Sequence, residues 1–222
     1  MFCIPIIASS TEEAVKRMKE AAKVADVLEV RLDLMDSFDI PALVRAAGKP
    51  VIITWRSEKE GGKRSHSPEK VAGYLISAIE AGADFVDVEL SLPQEIRKMI
   101  TNVSGKSQII VSSHITAGTP SLEELESVLR KSIAVGGDII KIVPTAREWY
   151  DNIRVLELVK LAKKENVRII SFCMGKLGRL SRIFSLPMGA YMTFASMEPG
   201  QESADGQITI NKMKEIMDFF SI

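Results

Sequence analysis

The sequence predicts one α/β domain, residues 1–222, folded as a (β/α)8 barrel of the TIM type. Eight short apolar runs alternate with longer amphipathic stretches along the chain. The runs are almost continuously apolar, as expected of parallel strands that are covered on both faces. No linker or low-complexity stretch divides the sequence, and its length suits a single domain. A doubly wound open sheet is the alternative that the same alternation allows.

The predicted strands coincide with the apolar runs. They are Cys3–Ala8, Val27–Leu32, Pro50–Trp55, Phe85–Leu90, Gln108–Ser113, Ile139–Val143, Arg168–Cys173 and Ala190–Ala195. The predicted helices are Thr11–Ala25, Ile40–Ala47, Pro68–Ala81, Pro93–Asn102, Leu122–Val135, Trp149–Glu165, Lys176–Phe184 and Ile210–Phe219. In such a barrel the segments that follow the strands share one face, where barrel enzymes place their active sites.

Composition excludes several classes of protein. The formal net charge is zero and no long basic run occurs, so a broad nucleic-acid-binding surface is not expected. The apolar runs are too short to span a membrane, and the N-terminus lacks the basic segment of a signal peptide. Cys3 and Cys173 lie in apolar runs, which predicts two buried free thiols and a cytoplasmic protein.

The sequence contains no motif for a metal or a nucleotide cofactor. Its two histidines are His66 and His114, and neither CxxC nor HExxH occurs. A zinc site is therefore not expected. GxGxxG and Walker sequences are absent as well.

Charged residues at the ends of predicted strands are the most informative positions, because burial of a charge is costly unless it is paired or used. Glu29, Arg31 and Asp33 alternate along strand 2 and share one face. They are interpreted either as a buried structural ion pair or as a cluster that binds hydroxyls and sets the local charge. Arg56 ends strand 3, and Glu60 follows in a glycine-containing loop that could equally be a solvated, flexible segment.

Strands 4 and 5 end in Asp87-Val88-Glu89 and in Ser113-His114. Glu89 is interpreted as a structural partner of a nearby cation. His114 is either structural or, as a neutral imidazole at the barrel mouth, a group that moves protons near pH 7.

Lys141 lies inside the apolar run of strand 6, between Ile140 and Ile142, where it cannot easily reach solvent. One interpretation is a buried lysine paired with a carboxylate such as Glu29 or Glu89. The other is a nucleophilic amine whose pKa is depressed by burial and by nearby arginines. The sequence pattern alone leaves both open.

Strand 7 leads into a segment with two glycines, Gly175 and Gly178, followed by Arg179 and Arg182. Glycines allow close approach of the backbone, and a helix start favours anions. The arginines are therefore candidates for binding an anion, or else surface charges. One lysine, one histidine, arginines and carboxylates at the ends of different strands suit imine chemistry on an anionic, hydroxylated carbonyl compound.

In this order the motifs resemble those of type I 3-dehydroquinate dehydratases. The motifs are Glu29-Val-Arg-Leu-Asp33, Thr54-Trp-Arg56 with Glu60-Gly-Gly, Ser113-His114, Lys141-Ile-Val, Met174-Gly175 to Ser181-Arg182, and Ser203-Ala-Asp-Gly-Gln207. Each motif is weak alone, but the ordered set covers nearly the whole chain and is highly specific.

The resemblance implies a catalytic group of three residues. Lys141 matches the Schiff-base lysine, His114 the general acid–base, and Glu60 the carboxylate that orients the histidine. Substrate-binding roles are implied for Glu29, Arg31, Arg56, Arg182, Ser203 and Gln207.

Two positions depart from the family pattern. Asp205 stands where the last loop commonly has a proline, and Pro199–Gln201 is a second candidate for the substrate-contacting part of that loop. Ser203 to Gln207 is preferred because Ile208 leads directly into the last helix. Ile115 and Thr116 follow the histidine where many members carry an aromatic residue, so the shape of the pocket is expected to differ.

The resemblance further implies a small-molecule partner, 3-dehydroquinate, and its dehydration to 3-dehydroshikimate in the shikimate pathway without a cofactor. A homodimer is expected, with no nucleic-acid or membrane partner. The alternatives are a class I aldolase, which also uses a barrel lysine, and a non-catalytic barrel that only binds a small acid.

Overall fold

A computed structural model of the chain describes residues 1–220, and in that range eight parallel strands alternate with eight α-helices. The strands form one sheet in the order β7 (Arg168–Ser171), β6 (Ile139–Pro144), β5 (Gln108–Ile115), β4 (Phe85–Glu89), β3 (Val51–Thr54), β2 (Val27–Arg31), β1 (Phe2–Ile6) and β8 (Thr193–Phe194). Between the two end strands of this order, the Tyr191 amide donates a 2.7 Å hydrogen bond to the Ile169 carbonyl. This contact brings β8 beside β7 and nearly closes the sheet. The predicted (β/α)8 barrel is confirmed, and the open-sheet alternative is wrong.

The helices are α1 Thr11–Ala21, α2 Ile40–Ala46, α3 Pro68–Glu80, α4 Gln94–Thr101, α5 Leu122–Ala134, α6 Asp151–Lys164, α7 Arg179–Phe184 and α8 Ile210–Phe219. Short 3-10 helices cover Leu32–Leu34, Glu58–Glu60 and Lys176–Gly178. No helix within residues 1–220 is long and apolar enough to cross a membrane.

Element boundaries differ from the sequence prediction where local contacts compete with the helix. The predicted helix Lys176–Phe184 is divided into a 3-10 turn and α7, because Gly178 packs its backbone against Cys173; a Cβ there would lie 2.5 Å from the Cys173 carbonyl oxygen. Helix α6 begins at Asp151 rather than Trp149. The Asp151 carboxylate accepts hydrogen bonds from the amides of Arg147 and Glu148, and these bonds fix the turn that precedes the helix.

The barrel interior changes from apolar to charged along each strand. Val27, Ile52, Phe85, Ile110 and Ile139 belong to a buried apolar cluster inside the barrel. Because side chains alternate between the faces of a strand, the residue two positions further along also points inward. Those residues are Glu29, Thr54, Asp87, Ser112 and Lys141, all buried. The sequence therefore builds an apolar floor and a polar layer above it, toward the carboxyl ends of the strands.

The two cysteines are buried and free, as predicted. Cys3 belongs to the apolar floor of the barrel, and Cys173 lies in the larger core between barrel and helices.

Candidate active site

A cavity of about 270 Å³ opens at the carboxyl ends of the strands. It is lined by all nine residues for which the sequence predicted a role: Glu29, Arg31, Arg56, Glu60, His114, Lys141, Arg182, Ser203 and Gln207. These residues come from six different strands or the segments that follow them, so only the closed barrel brings them together.

Lys141 lies at the inner end of this cavity on β6 and is 3% exposed. Its Nζ lies 3.0 Å from Asp87 Oδ2 and 3.2 Å from Glu29 Oε1, and 4.5 Å from the centre of the Phe194 ring. A buried ammonium without partners would cost several kcal/mol, about 5 or more. The two carboxylates offset that cost, so the lysine is at once a paired residue, as one interpretation predicted, and a residue that faces the cavity.

Arg56 connects the polar layer that contains Lys141 and Asp87 to Glu89, which lies further along β4. Its guanidinium lies 2.8 Å from Asp87 Oδ1, 2.8 Å from Glu89 Oε1 and 3.0 Å from Ser112 Oγ. Asp87 thus bridges two cations, Arg56 and Lys141. The Arg56 and Lys141 charges outweigh burial and hold the pKa of Asp87 far below its usual range, so its carboxylate is ionised. Glu89 is a structural partner of a cation, as predicted, and does not line the cavity.

Strand β2 contributes a second ion pair. Arg31 binds Asp33 through two hydrogen bonds of 2.7 Å each, and both side chains are buried. Glu29 accepts a 3.0 Å hydrogen bond from Thr54 Oγ1 in addition to its contact with Lys141. The structural ion pair predicted for this strand is present, and Arg31 still borders the cavity.

His114 and Glu60 form a hydrogen-bonded pair at the wall of the cavity. Glu60 Oε2 lies 3.2 Å from His114 Nδ1 and accepts a 2.8 Å hydrogen bond from the His114 backbone amide. Burial, and then the charges of Arg56 and Lys141, hold the pKa of His114 well below its ordinary value. The imidazole is therefore neutral at pH 7, and a proton on Nδ1 directed at Glu60 leaves Nε2 free to accept one.

Burial is also the main reason that the pKa of Glu60 is raised to about 7, with Arg56 opposing this rise. Most of the loop that carries Glu60 is exposed, including Glu58, Lys59 and Gly61, but the Glu60 side chain itself is turned inward and is 7% exposed.

Arg182, at the end of α7, has no carboxylate partner among residues 1–220. It is 1% exposed, and its Nε and Nη2 atoms are buried without hydrogen-bond partners in that range. Its guanidinium lies over the Phe172 ring at 4.2 Å, and Nη1 donates to the Phe194 carbonyl at 3.3 Å. Burial lowers its pKa to about 10, so it is still a cation at pH 7. Unpaired buried donors on a cation that borders a cavity are suited to bind an anion.

The segment Ser203–Gln207 covers the cavity beside Gly175. Gln207 Nε2 donates to Ser203 Oγ at 3.0 Å, and the Ser203 amide donates to Gln207 Oε1 at 2.9 Å, which holds the segment in a tight turn. Gly206 has φ of 82°, and a Cβ there would lie 2.2 Å from the Gly175 carbonyl oxygen. Gln201 instead lines a separate small cavity with Pro5, which agrees with the preference for Ser203 to Gln207.

The family model described as Type I 3-dehydroquinase matches residues 2–222 of this chain. The chain belongs to the type I 3-dehydroquinase family. A 3-dehydroquinate dehydratase of Methanococcus vannielii is 39% identical over 221 residues, with 98% of this chain and 99% of that protein covered. One of Methanocaldococcus jannaschii is 34% identical, with 97% of each covered.

Solved structures of this family share the fold. The 3-dehydroquinate dehydratase of Geobacillus kaustophilus superposes with a TM-score of 0.88 at 28% identity, over 100% of this chain and 92% of that one. A 3-hexulose-6-phosphate synthase also matches, with a TM-score of 0.61 at 15% identity, and shows only that the barrel is shared.

Asp87 is the residue of this type I 3-dehydroquinase site that the sequence prediction missed. It contacts Lys141 and Arg56 directly, whereas the prediction considered Glu29 and Glu89 as partners of the lysine. The signal was present, because Asp87 is a charge in the middle of an apolar strand, as Lys141 is. What the sequence did not reveal is the relative height of β4 and β6 in the barrel.

Proposed function

We propose that this chain dehydrates 3-dehydroquinate to 3-dehydroshikimate, with Lys141 as the Schiff-base residue. The observation that carries the proposal is one cavity containing a buried lysine, a neutral histidine held by a carboxylate, and an unpaired arginine. These are the groups that an imine-mediated elimination from an anionic hydroxyketone needs: a nucleophile, an acid–base group and an anion clamp.

In the proposed reaction, Lys141 Nζ attacks the ring ketone and a water molecule leaves as the imine forms. The protonated imine withdraws electrons, which acidifies the neighbouring C–H bond, and His114 Nε2 accepts that proton. The electron pair moves into an enamine and then expels the hydroxyl group on the next carbon, which takes the proton from His114 and departs as water. A water molecule finally hydrolyses the imine, releasing the enone and restoring the amine.

The resting lysine must lose a proton before it attacks, because Asp87 and Glu29 stabilise the ammonium form. His114, neutral and bordering the same cavity, is the acceptor we propose. Once the iminium exists, the same two carboxylates stabilise its positive charge. The ion pair that holds the lysine before reaction therefore also supports the cationic intermediate.

Glu29, Arg31 and Arg56 are proposed to fix the charge of the inner cavity and to meet ring hydroxyls. Arg182 is proposed to bind the substrate carboxylate, and Ser203 and Gln207 to close over the ring. The donors of Arg56 are occupied by carboxylates and by Ser112, and these contacts favour a role in fixing the charge of the cavity over one in binding ring hydroxyls.

Incubation of the purified protein with 3-dehydroquinate tests the proposal. We expect absorbance of the conjugated enone to rise, at a rate proportional to enzyme concentration. No rise from folded protein would contradict the dehydratase function. Cleavage of a carbon–carbon bond would instead favour the aldolase alternative, which gives no role to the pairing of His114 with Glu60.

Replacement of Arg182 by Met should weaken substrate binding without unfolding the barrel. Loss of a buried charge partner of a carboxylate costs about 2–5 kcal/mol, so KM should rise by about 30-fold or more, with a smaller change in kcat. Because no carboxylate of residues 1–220 pairs with Arg182, the melting temperature should hold or rise. Steady-state kinetics and thermal unfolding measure both.

The control for this variant is Arg179→Met, three residues earlier and exposed. It removes the same charge from the same segment and should leave KM within about two-fold, since surface charges contribute little. Equal effects of the two variants would contradict a specific carboxylate site at Arg182.

We also propose a cytoplasmic homodimer. Two free buried thiols suit a reducing compartment. Trp149 and Tyr150, directly before α6, and Ile153 in its first turn are 60%, 75% and 47% exposed, and Trp and Tyr are enriched in interfaces. A monomer mass at micromolar concentration in analytical ultracentrifugation would contradict the dimer.

A further inference from the structure

The two carboxylate oxygens of Glu60 have different partners. Its Oε2 atom is directed at His114, whereas Oε1 accepts a 2.7 Å hydrogen bond from Ser91 Oγ, its sole hydrogen-bond partner among residues 1–220. Ser91 lies in the loop after β4, and it does not line the cavity. Its role is therefore not to contact substrate.

The backbone around Ser91 is fixed on both sides. The Leu90 amide donates to the Ser112 carbonyl at 2.7 Å, which continues the pairing of β4 with β5, and the Leu92 amide donates to the Glu89 carbonyl at 3.1 Å. Ser91 Oγ is thus presented from a rigid part of the barrel. Glu60 itself lies in a short 3-10 turn of a long loop, so the orientation of its side chain depends on contacts from other elements: Ser91 at Oε1 and the His114 amide at Oε2.

The charges around Glu60 do not orient the carboxylate by themselves. Arg56, at the end of β3, approaches Oε2 at only 3.4 Å and is already bound to Glu89 and Asp87. Glu89, from β4, repels the Glu60 charge, and His114, from β5, is neutral. Without the serine, a buried glutamate beside another carboxylate would be driven to take up a proton.

We propose that Ser91 is a positioning residue, which donates to Oε1 and so favours the carboxylate form of Glu60 with Oε2 turned toward His114. A protonated Glu60 would be a weaker acceptor for the Nδ1 proton and could instead donate its own proton to Nδ1, which would favour the tautomer with the proton on Nε2. This inference rests on the proposed function, because it assigns a role to Ser91 within that acid–base pair.

The first test compares Ser91→Ala with wild type in the pH dependence of kcat/KM. The pKa of Glu60 is about 7 with the serine in place, and that hydrogen bond lowers it. Its loss should raise the pKa by up to about one unit, since a bond to a charged group is worth roughly that much. The acid limb should therefore move to higher pH: a loss of about 5- to 10-fold at pH 6.5 that recovers to within about two-fold at pH 8.5.

Two further variants separate positioning from simple damage. Ser91→Thr keeps the hydroxyl and should restore the wild-type limb. Ser57→Ala removes a buried hydroxyl of the Glu60 loop that has no hydrogen-bond partner within residues 1–220, and it should not move the limb. The inference would be overturned if Ser91→Ala lowered kcat/KM equally at all pH values. It would also be overturned if the acid limb of the Ser91→Ala profile coincided with that of Ser57→Ala.

A measurement without substrate distinguishes this inference from the proposed function. The chain has two histidines, so the imidazole 15N resonances of His114 can be assigned by comparison with His66→Gln. The transition of His114 that reports ionisation of Glu60 should move to higher pH in Ser91→Ala and not in Ser57→Ala. An unchanged transition overturns the role of Ser91 even if the enzyme is active, whereas a shifted transition in an enzyme inactive on 3-dehydroquinate overturns only the proposed function.

Discussion

Replacement of Lys141 by Ala should abolish turnover, with kcat lowered by about 10⁵- to 10⁶-fold, as is typical when a covalent nucleophile is removed. The remaining groups can bind substrate, but without the iminium the C–H bond next to the ketone is not acidic enough for a neutral imidazole. Steady-state assays at high enzyme concentration measure the residual rate. KM or the binding constant should change far less, because Arg182 and the closing segment are intact.

Borohydride trapping with substrate locates the covalent bond. Wild type should gain the mass of one reduced adduct on the peptide that contains Lys141, and Lys141→Ala should gain none. Lys160→Ala, which removes an exposed lysine of α6, is the matched control and should behave as wild type in both assays. An active Lys141→Ala protein, or an adduct on another lysine, would falsify the Schiff-base role.

Stability provides a second readout for the same variant. Without Lys141, the carboxylates of Asp87 and Glu29 lose their shared cation, and breaking such a buried pair costs about 3–5 kcal/mol. Arg56 still neutralises Asp87, so we expect the lower part of that range. A protein that is inactive yet folded, with a lowered melting temperature, would separate loss of chemistry from loss of structure.

The residues of the site were predictable where a charge interrupts an apolar strand. Lys141, Glu29 and Arg31 stand out on this basis, because desolvation makes a charge in such a run costly unless it has a purpose. Strand alternation then places Glu29 and Arg31 on one face. The family motifs added Ser203 and Gln207, whose surroundings in the sequence are less distinctive, and distinguished Arg182 from Arg179.

Pairing between strands was not predictable, since it depends on stagger. The register sets Glu89 opposite Ser112 and Ser112 opposite Lys141, yet the β4 carboxylate that contacts the lysine, at 3.0 Å, belongs to Asp87, two residues before Glu89. Because barrel strands are tilted to the barrel axis, the height of a side chain inside the barrel differs from its pairing position. Nothing local to β4 encodes that height. The absence of a carboxylate partner for Arg182 within residues 1–220 is likewise a property of the assembled barrel: it depends on which carboxylates the other strands do not bring near.

The sequence left Lys141 as either an ion-paired lysine or a nucleophile, and the structure makes these two descriptions compatible. The carboxyl groups of Asp87 and Glu29, which pair with the lysine, lie at the place where the iminium will carry its charge. Preorganised charges of this kind cost nothing when the reaction occurs. Deprotonation of the amine is then the step that needs help, and this again points to the neutral His114.

Replacement of His114 by Ala should separate imine formation from elimination. Loss of a general acid–base group lowers kcat by about 10²- to 10⁴-fold, and we expect the upper part of this range, because His114 is proposed to act in several steps. The lysine remains, so borohydride should still trap an adduct on Lys141, although more slowly. Rapid quenching with borohydride and mass spectrometry measure the rate of trapping, and enone absorbance measures turnover.

The other histidine provides the matched control. His66 is exposed and stacks on Trp55 with ring centres 4.6 Å apart, in the segment that leads from the Glu60 loop into α3. His66→Ala removes the same functional group near the same loop and should keep kcat within about three-fold, as for most surface substitutions. If His114→Ala retained more than about a tenth of the wild-type kcat, well above the range for a general base, another group would have to accept the proton. If borohydride trapped no adduct in His114→Ala, His114 would be needed chiefly to deprotonate Lys141. The Asp87 and Glu29 carboxylates would then hold the lysine as an ammonium more firmly than the proposed sequence of steps allows.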